Sequence, residues 1–404
     1  MFASCPFCHT SVLSSELEWH ANNHFVEDEL QKDRELAQQI MQDASVGYEE
    51  SFVADFGGST GTSTSSSSNI SPCFLDEQIS ILLGSQVRSS FHEVPGGLMP
   101  LLRSCLDSDG ESSRSIISGH VDHYQSVESE DSGWGCGWRN IQMLSSHLLR
   151  ERRDANAVLF GGSGFVPDIP SLQRWLEIAW EKGFDVVGSN SFQKKIYGHR
   201  KWIGTTECST LFRSFGLRAR VVDFDSITPS ERQNIGNSRG KGVAKQLFGP
   251  MDKFVVRSNE FCDHDLSRSD TSGIGHQILV DWVWNYFMSK TSIKVGSSRR
   301  VIISEKTPLY FQHDGHSRTI VGIQMQKGVR GSPDRYCLLV LDPAHKTKVL
   351  ERSLQDKNGW QKMIKRGVHT LKKPQYQLCY VDPGIAHAEE MEQLKTIDSI
   401  LVRF

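Results

Sequence analysis

The chain has 404 residues, enough for two or three domains, and a formal net charge of −3 with a pI of about 6.6. A charge balance this close to neutral argues against broad electrostatic affinity for nucleic acid or a membrane surface. The nine cysteines are few and irregularly spaced, which is typical of a reducing compartment. No apolar run approaches the roughly 18 residues of a membrane-spanning helix, and the start of the chain lacks signal-peptide organisation. We therefore expect a protein of the cytoplasm and nucleus.

The first 25 residues predict a small ββα zinc finger. Four potential ligands are spaced as C-x2-C-x11-H-x3-H: Cys5, Cys8, His20 and His24. Two cysteines on a tight turn and two histidines one helical turn apart can surround Zn2+ tetrahedrally. Since protein fills all four positions, the predicted zinc is structural; the alternative is four unrelated residues. The finger helix SSELEWHANN is acidic where a base-reading finger is basic, so we expect a protein partner and not DNA.

Residues 26–45 predict a charged helix with one short apolar strip. The strip consists of Leu36, Ala37 and Ile40, and the small Ala37 lets a partner surface come close. This pattern resembles an inverted ubiquitin-interacting motif, a helix that lays such a strip against the apolar patch of ubiquitin. A spacer or packing helix is the plainer alternative. The Ser/Thr/Gly-rich segment 46–75 then predicts a disordered linker.

The rest of the chain divides into a helical transitional segment, 76–115, and a globular domain, 116–404. Helical periodicity covers 137–151, 170–182, 205–215 and 272–290. Strand-like runs cover 219–224, 300–304, 318–325, 336–342 and 377–382. Because helices dominate the first half of the domain and strands the second, the pattern favours an α+β fold over a doubly wound sheet.

Cys136 is the candidate nucleophile of this domain. It lies between two glycines in SEDSGWGCGWRNIQML, where an amphipathic helix is predicted to begin. The dipole and free N–H groups at a helix N-terminus favour a thiolate. Gly135 and Gly137 would let the backbone of another molecule approach closely. We expect Trp134 and Trp138 to wall a narrow channel that leads to the thiol.

A cysteine nucleophile also needs a histidine base and a group that orients the imidazole. His316 follows Gly315 at the entry to a predicted strand, and Asp342 ends another strand at an Asp-Pro step. On adjacent strands, the two side chains could meet beside the helix of Cys136, in the Cys–His–Asp order of papain-like peptidases. Taken singly, a strand-edge histidine is usually a surface residue and Asp-Pro is usually a turn.

Four motifs carry a family resemblance: EDSGWGCGWRN, WIGTTECSTLF, GHSRTIVGI and LLVLDP. They resemble the peptidase family specific for the ubiquitin-fold modifier, and the finger and acidic helix are similar to its zinc-finger, ZUFSP-type branch. The resemblance implies a papain-like fold with Cys136 as nucleophile, His316 as base and Asp342 as the orienting residue. It also implies that the Tyr124 hydroxyl joins the Cys136 N–H in an oxyanion hole, with Gln312 as the alternative donor.

One motif departs from the family pattern. The modifier-specific members have Asp-Pro-His, whereas this chain reads Asp342-Pro343-Ala344-His345, which favours His316 over His345 as the base. The zinc-finger members resemble deubiquitinases that act on long, non-degradative polyubiquitin chains, so we expect a deubiquitinase that cleaves after the C-terminal glycine of ubiquitin. Two alternatives stay open: a peptidase for the ubiquitin-fold modifier, and an inactive adaptor that binds ubiquitin.

Overall fold

The computed structural model describes residues 2–4, 10–13, 20, 72–110, 112–225, 272–289, 300–313, 315–328 and 332–403. Its contacts divide the chain into two compact units, Met1–Ile81 and Leu82–Phe404. Several predicted functional residues lie outside the described residues: Cys5, Cys8, His24, Leu36, Ala37 and Ile40. The predicted ubiquitin-binding helix and most of the predicted linker lie outside them as well.

In the first unit, strands β1 (Phe2–Ser4) and β2 (Ser11–Leu13) pair antiparallel, with Phe2 opposite Leu13. A ββα finger begins with such a pair, and the chain between these two strands carries Cys5 and Cys8. Of the four predicted zinc ligands, only His20 is among the described residues, where it is helical and half-buried. The finger therefore stays a prediction.

Between β2 and the residues around Cys136, the described part of the chain contains three elements. Helix α1 (Pro72–Ser85) begins within the stretch predicted as linker, since the fixed φ of proline suits the first turn of a helix. Helix α2 (Leu98–Asp107) follows, with a glycine as its N-cap. Strand β3 (Ser113–Ser118) then crosses residue 116, the predicted start of the globular domain. Its sequence, SRSIIS, has no apolar alternation, which is why the sequence did not indicate a strand.

The remaining helices are α3 (Cys136–Glu151), α4 (Arg153–Val158), α5 (Ile169–Glu181), α6 (Val186–Ser191), α7 (Thr205–Ser214), α8 (Ser272–Met288), α9 (Thr347–Gln355), α10 (Trp360–Ile364) and α11 (Ala388–Leu394). Short 3-10 turns cover Leu159–Gly162 and Val368–Thr370. The four predicted helices are confirmed as α3, α5, α7 and α8, with bounds shifted by a few residues at most. Within the described ranges, none of the helices has both the length and the apolar character that a bilayer crossing requires.

The remaining strands are β4 (Leu217–Asp225), β5 (Val301–Ser304), β6 (Leu309–His313), β7 (His316–Gln326), β8 (Arg335–Leu341), β9 (Lys365–Gly367), β10 (Gln375–Ile385) and β11 (Ser399–Arg403). Strands β3–β11 form one nine-stranded sheet in the order β11-β4-β10-β6-β7-β3-β5, with β8 on β7 and β9 on β8. The β3–β5 and β4–β11 pairs are parallel, and the others are antiparallel. This largely antiparallel sheet confirms the predicted mixed α+β class.

Both faces of the sheet are buried. Ile320 and Leu338 belong to one apolar cluster, whereas their chain neighbours Val321 and Leu339 belong to another. Helix α8 fills the first cluster, and helices α2, α9 and α10 supply much of the second. Since successive side chains of a strand point to opposite faces, a strand buried on both sides is apolar at nearly every position. This explains why the predicted strands are continuous apolar runs.

Strand β7 positions the predicted base, His316, which is its first residue. It pairs with β6 along residues 316–320 and with β3 along 322–326, while β8 runs beside 319–326. Helix α3 packs against it. Because β7 and β8 are antiparallel, the first residue of β7 and the residue that follows β8 lie at the same end of the sheet.

Candidate active site

Cys136 is the first residue of helix α3, as predicted. Its side chain is a free thiol and is half-buried, and Gly135 is the N-cap of the helix. The backbone carbonyl of Cys136 accepts a hydrogen bond of 2.7 Å from Nδ2 of Asn140. The sulfur is therefore presented at the positive end of a helix and keeps some access to solvent.

The glycines around Cys136 accommodate the protein's own residues, and the close approach of another backbone stays a prediction. A Cβ atom at Gly135 would overlap the carboxylate of Asp131. At Gly137 it would lie 2.7 Å from Cγ1 and 2.8 Å from the carbonyl oxygen of Ile203. The predicted role of Trp138 as a channel wall was wrong, because its side chain is 0% exposed and belongs to the core.

A buried ion pair fixes the loop before Cys136. Nε and Nη2 of Arg139 donate to the Asp131 carboxylate at 3.0 and 2.8 Å, and both side chains are almost completely buried. Asp131 also accepts the Val127 N–H through its side chain and the Gly135 N–H through its backbone oxygen. Such a bidentate pair sets geometry as well as energy, so the turn into α3 has one defined shape.

Helix α3 is buried on nearly all sides, and not on one face as its apolar spacing predicted. Its buried polar side chains have hydrogen-bond partners outside the helix. A prediction from the spacing of apolar residues alone counts these polar positions as exposed, so it underestimates how much of the helix is buried. Nε2 of Gln142 donates to Oγ of Ser89 and to the carbonyl of Pro167. Nδ1 of His147 lies 2.9 Å from the carbonyl oxygen of His120.

The structure brings His316 and Asp342 to Cys136. His316 is the first residue of β7, and Asp342 directly follows β8. Nε2 of His316 lies 3.6 Å from Oδ1 of Asp342, and the imidazole is close enough to the Cys136 thiol for each group to shift the pKa of the other. The imidazole thus lies between a thiol and a carboxylate, the arrangement required of a cysteine nucleophile, its base and the orienting group.

The electrostatics of the pair favour a thiolate and an imidazolium. Burial raises the pKa of the Cys136 thiol, but hydrogen bonds from His316 and Ser317 and the imidazole charge outweigh it, so the net pKa is lowered. Burial lowers the pKa of His316, but its hydrogen bonds to Asp342 and Cys136 outweigh it and raise the pKa to about 9. The proton that the two groups share is therefore held by the imidazole, which favours a reactive thiolate.

Asp342 is held as a carboxylate even though it is buried. Burial raises its pKa, but the hydrogen bond to His316 and the charge of Arg318 outweigh that effect and bring the pKa far below its usual range. Oδ2 accepts a 2.6 Å hydrogen bond from Nε of Arg318, and Oδ1 accepts one of 3.0 Å from the Ala344 N–H. Asp342 therefore keeps its negative charge toward the imidazolium.

His123, which the sequence did not indicate, supports the turn that carries Asp342. Its buried imidazole has Nε2 3.0 Å from the Asp342 carbonyl oxygen and Nδ1 2.8 Å from Oγ1 of Thr347. Since a carbonyl only accepts, Nε2 carries the proton and the Thr347 hydroxyl donates to Nδ1. Burial lowers the pKa of His123 to about 4, so the ring stays neutral and acts as a fixed brace.

Asn140 joins the nucleophile helix to the histidine strand. Besides the Cys136 carbonyl, its Nδ2 donates to Oγ of Ser317 at 2.9 Å. Its Oδ1 accepts a 2.8 Å hydrogen bond from the hydroxyl of Thr319. Three hydrogen bonds, two of them buried, thus fix the distance between Cys136 and the strand that begins at His316. The only sequence signal for this role is the position of Asn140, one helical turn after the cysteine.

Neither predicted oxyanion residue has a hydrogen bond to Cys136 among the described residues. Tyr124 is 2% exposed, and its ring centroid lies 4.8 Å from that of Phe91. Burial raises the pKa of its hydroxyl, and no hydrogen bond in the described part of the chain joins it to Cys136. Oε1 of Gln312 accepts the Thr205 N–H at 3.1 Å. The oxyanion role of either side chain stays a prediction.

His345 lies in the turn after β8. It is half-buried, and its N–H donates to the carbonyl of Asp342 at 3.0 Å. Burial lowers the pKa of its imidazole, and the charges that act on it are those of Asp342, Arg366 and Arg318. Among the described residues, no hydrogen bond joins it to Cys136, in contrast to His316.

The predicted zinc ligands form a chemically suitable set. In the sequence, Cys5 and Cys8 stand between the antiparallel strands β1 and β2. Two thiolates and two imidazoles are a tetrahedral ligand set that suits a structural Zn2+. Within the described ranges, no cluster of three or more His, Cys, Asp or Glu side chains is placed to hold a metal ion.

The chain is similar to several known peptidases and hydrolases. A model of peptidase family C78 matches residues 110–379. Zinc finger-containing ubiquitin peptidase 1 of Rattus norvegicus is 32% identical over 286 residues, which are 70% of this chain and 40% of that protein. Ubiquitin carboxyl-terminal hydrolase mug105 of Schizosaccharomyces pombe is 36% identical over 224 residues, 55% of this chain and 68% of that protein. Probable Ufm1-specific protease 1 of Drosophila melanogaster is 36% identical over 85 residues, 21% of this chain and 29% of that protein.

Proposed function

This chain belongs to peptidase family C78, and we propose on that basis that it is a deubiquitinase, a thiol isopeptidase that hydrolyses the bond after the C-terminal glycine of ubiquitin. The observation that carries the proposal is the position of the His316 imidazole, which lies 3.6 Å from Asp342 and is coupled to the Cys136 thiol so that each shifts the pKa of the other. The choice of ubiquitin is supported by two matched relatives whose names specify ubiquitin peptidase or hydrolase activity.

The chemistry follows from the position of the proton. The Cys136 thiolate attacks the carbonyl carbon of the terminal glycine, and the N–H groups at the start of α3 stabilise the oxyanion. The His316 imidazolium gives its proton to the leaving lysine amine, which breaks the isopeptide bond and leaves ubiquitin as a thioester on Cys136. His316 then removes a proton from water, and the resulting hydroxide attacks the thioester, which releases ubiquitin and restores the thiolate and the imidazolium. Asp342 stabilises the imidazolium throughout.

The preference for long, non-degradative polyubiquitin chains is a finer proposal that rests on the N-terminal segments. Zinc would fold the finger by binding Cys5, Cys8, His20 and His24. The finger and the strip of residues 36–40 would hold one ubiquitin while the catalytic domain cleaves beside another. A flexible tether between two binding elements raises the local concentration of the second site, so long chains gain most.

A peptidase for the ubiquitin-fold modifier is the second candidate function. The match to the Drosophila protease named for that modifier supports it, although this match covers only 85 residues. An inactive ubiquitin-binding adaptor is the third. The contacts among Cys136, His316 and Asp342 argue against the adaptor, because a protein without catalytic function has no need to keep a lowered thiol pKa.

Paired activity probes separate these functions. The purified full-length protein is incubated with ubiquitin, and separately with the ubiquitin-fold modifier, each carrying a thiol-reactive group in place of its terminal carboxylate. The deubiquitinase proposal predicts covalent capture of ubiquitin at least about tenfold faster than of the modifier, and none by Cys136→Ala. Faster capture of the modifier would contradict the proposal. Capture of neither, with ubiquitin binding intact, would favour the adaptor.

A further inference from the structure

Arg318 lies beside the site and takes no part in the mechanism described above. It is two residues after His316, so the two side chains share one face of β7. Its Nε donates to Oδ2 of Asp342 at 2.6 Å, and its Nη1 lies 2.8 Å from Nε2 of His313. A guanidinium only donates, so Nε2 of His313 accepts and that ring is neutral. The guanidinium is therefore fixed from two directions, and its side chain is only 20% exposed.

The two oxygens of Asp342 have different partners as a result. Oδ2 belongs to Arg318, whereas Oδ1 faces Nε2 of His316 at 3.6 Å and accepts the Ala344 N–H at 3.0 Å. Rotation of the carboxylate would break the Arg318 hydrogen bond, so Arg318 decides which oxygen the imidazole meets. The guanidinium and the carboxylate together also carry no net charge. Papain-like peptidases of the Cys–His–Asn type use a neutral amide as the orienting group.

We propose that Arg318 is a positioning residue, which clamps Oδ2 of Asp342 so that Oδ1 holds His316, and which turns the orienting carboxylate into a neutral pair equivalent to the asparagine of other papain-like peptidases. The inference rests on the proposed thiol-peptidase function of the site. It adds a residue that acts through Asp342 and has no contact with the reacting atoms.

The charges around the pair determine the direction of the expected effects. Among the described residues, five titratable or charged groups interact with Arg318 through hydrogen bonds or charge: Asp342, His313, His316, His345 and Arg366. Cys136 acts on His316 from helix α3. The positive charge of Arg318 opposes the imidazolium and lowers the pKa of His316, whereas Asp342 raises it. Without Arg318, the carboxylate acts on the imidazolium uncompensated, and the pKa of His316 rises.

Four variants of the full-length protein test the proposal: Arg318→Gln, Asp342→Asn, the double variant of both, and Arg366→Gln as the matched control. Arg366 is a nearby half-buried cation whose hydrogen bonds go to the carbonyls of Lys362 and Lys365. Its loss removes a positive charge near Asp342 and leaves the Arg318 clamp intact. A fifth variant, Arg318→Lys, keeps the charge and loses the fixed geometry of the guanidinium.

The first readout is the pH profile of kcat and KM on an isopeptide-linked ubiquitin substrate. For Arg318→Gln we expect kcat about 100-fold lower with KM within twofold, because a misplaced imidazole slows chemistry and not binding. The upper pH limit of activity should move up. For Asp342→Asn it should move down, since the Arg318 charge is then uncompensated. The double variant removes the uncompensated Arg318 charge beside the neutral amide, so its kcat should exceed that of Asp342→Asn by about tenfold.

The second readout needs no substrate and separates this proposal from the proposed function. The rate at which iodoacetamide alkylates Cys136, followed by mass spectrometry of its peptide, depends on the thiolate, and the upper step of its pH profile marks the pH at which His316 loses its proton. That pH should rise in Arg318→Gln, stay unchanged in Arg318→Lys and Arg366→Gln, and fall in Asp342→Asn. These shifts are expected even if ubiquitin proves not to be the substrate.

Two results would overturn the proposal. One is an Arg318→Gln variant that loses activity with no change in either pH profile, which would indicate a purely structural role. The other is a double variant whose loss equals the product of the two single losses, which would show that the guanidinium and carboxylate act independently. If Arg318→Gln does not fold, as judged by circular dichroism, Arg318→Lys carries the test through lower kcat at an unchanged upper pH limit.

Discussion

The proton shared by Cys136 and His316 rests on the imidazole, because Asp342 on one side and the thiolate on the other both stabilise positive charge there. Burial alone would have the opposite effect on both groups, so the hydrogen bonds of the site outweigh it. At the scale of single residues, activity should depend on the pH range in which this ion pair exists.

The first prediction is a bell-shaped pH profile with an upper limit near pH 9. Above the pKa of His316, which is raised to about 9, the imidazole no longer has a proton for the leaving amine, so kcat/KM should fall. On the acid side, activity should fall as the Cys136 thiolate takes up a proton. Initial rates from pH 5 to 10 on an isopeptide-linked substrate give the profile, with circular dichroism as the control for folding. An upper limit near the ordinary histidine pKa of about 6.5 would contradict the assignment.

The second prediction separates the two histidines near Asp342. His316→Ala should lower kcat by about 1,000-fold or more, because it removes the group that hydrogen-bonds the thiol. His345→Ala should stay within about tenfold of the parent, since its backbone hydrogen bond to Asp342 does not involve the imidazole. Steady-state kinetics of the two variants measure both losses of kcat. A larger loss in His345→Ala than in His316→Ala would identify His345 as the base.

At the scale of elements, the site depends on the contact between helix α3 and strand β7. Cys136 begins the helix and His316 begins the strand, so a small shift of one element against the other separates thiol and imidazole. Asn140 spans this contact through hydrogen bonds to Ser317 and Thr319. Gly137 lets the helix pack closely on Ile203 at its first turn.

The third prediction concerns Asn140→Ala. The change leaves the buried Thr319 hydroxyl without its acceptor, so the free energy of unfolding should fall by about 2 kcal/mol, and kcat should fall about tenfold. Ser145→Ala is the matched control on the same helix, because its buried Oγ has no hydrogen-bond partner among the described residues. Its unfolding free energy should change by less than about 1 kcal/mol. Urea unfolding and kinetics measure both effects, and equal losses in the two variants would refute the role of Asn140.

At the scale of the whole molecule, the sequence predicted the α+β class and most long elements, because the periodic spacing of apolar residues can be recognised in one sequence. It also predicted Cys136, His316 and Asp342, since each stands at the end of a periodic element. It did not predict Asn140 or His123. A single buried polar side chain produces no periodic pattern in the sequence, and its hydrogen-bond partners lie far away along the chain. The burial of α3 was underestimated for the same reason.

The fourth prediction concerns the N-terminal region, whose role in chain cleavage is a proposal. Ala37→Arg should block close approach of ubiquitin to the predicted helix and sharply slow the cleavage of long polyubiquitin chains. Cleavage of a ubiquitin with one small leaving group should hardly change, because that reaction needs only the catalytic domain. Both rates are compared with those of Lys32→Arg, a change that keeps the charge just outside the strip. Equal rates on long chains for parent and Ala37→Arg would contradict ubiquitin binding by this helix.

The central claim is that Cys136 is the nucleophile of a ubiquitin-specific thiol peptidase, and the site of covalent capture tests it most directly. Ubiquitin with a thiol-reactive C-terminus is allowed to react with the full-length protein, and the adduct is digested and mapped by mass spectrometry. The chain has nine cysteines, so the map discriminates among them. We predict a single adduct on Cys136 that is lost in Cys136→Ala and retained in His345→Ala. An adduct on another cysteine, or equal labelling of Cys136→Ala, would contradict the account.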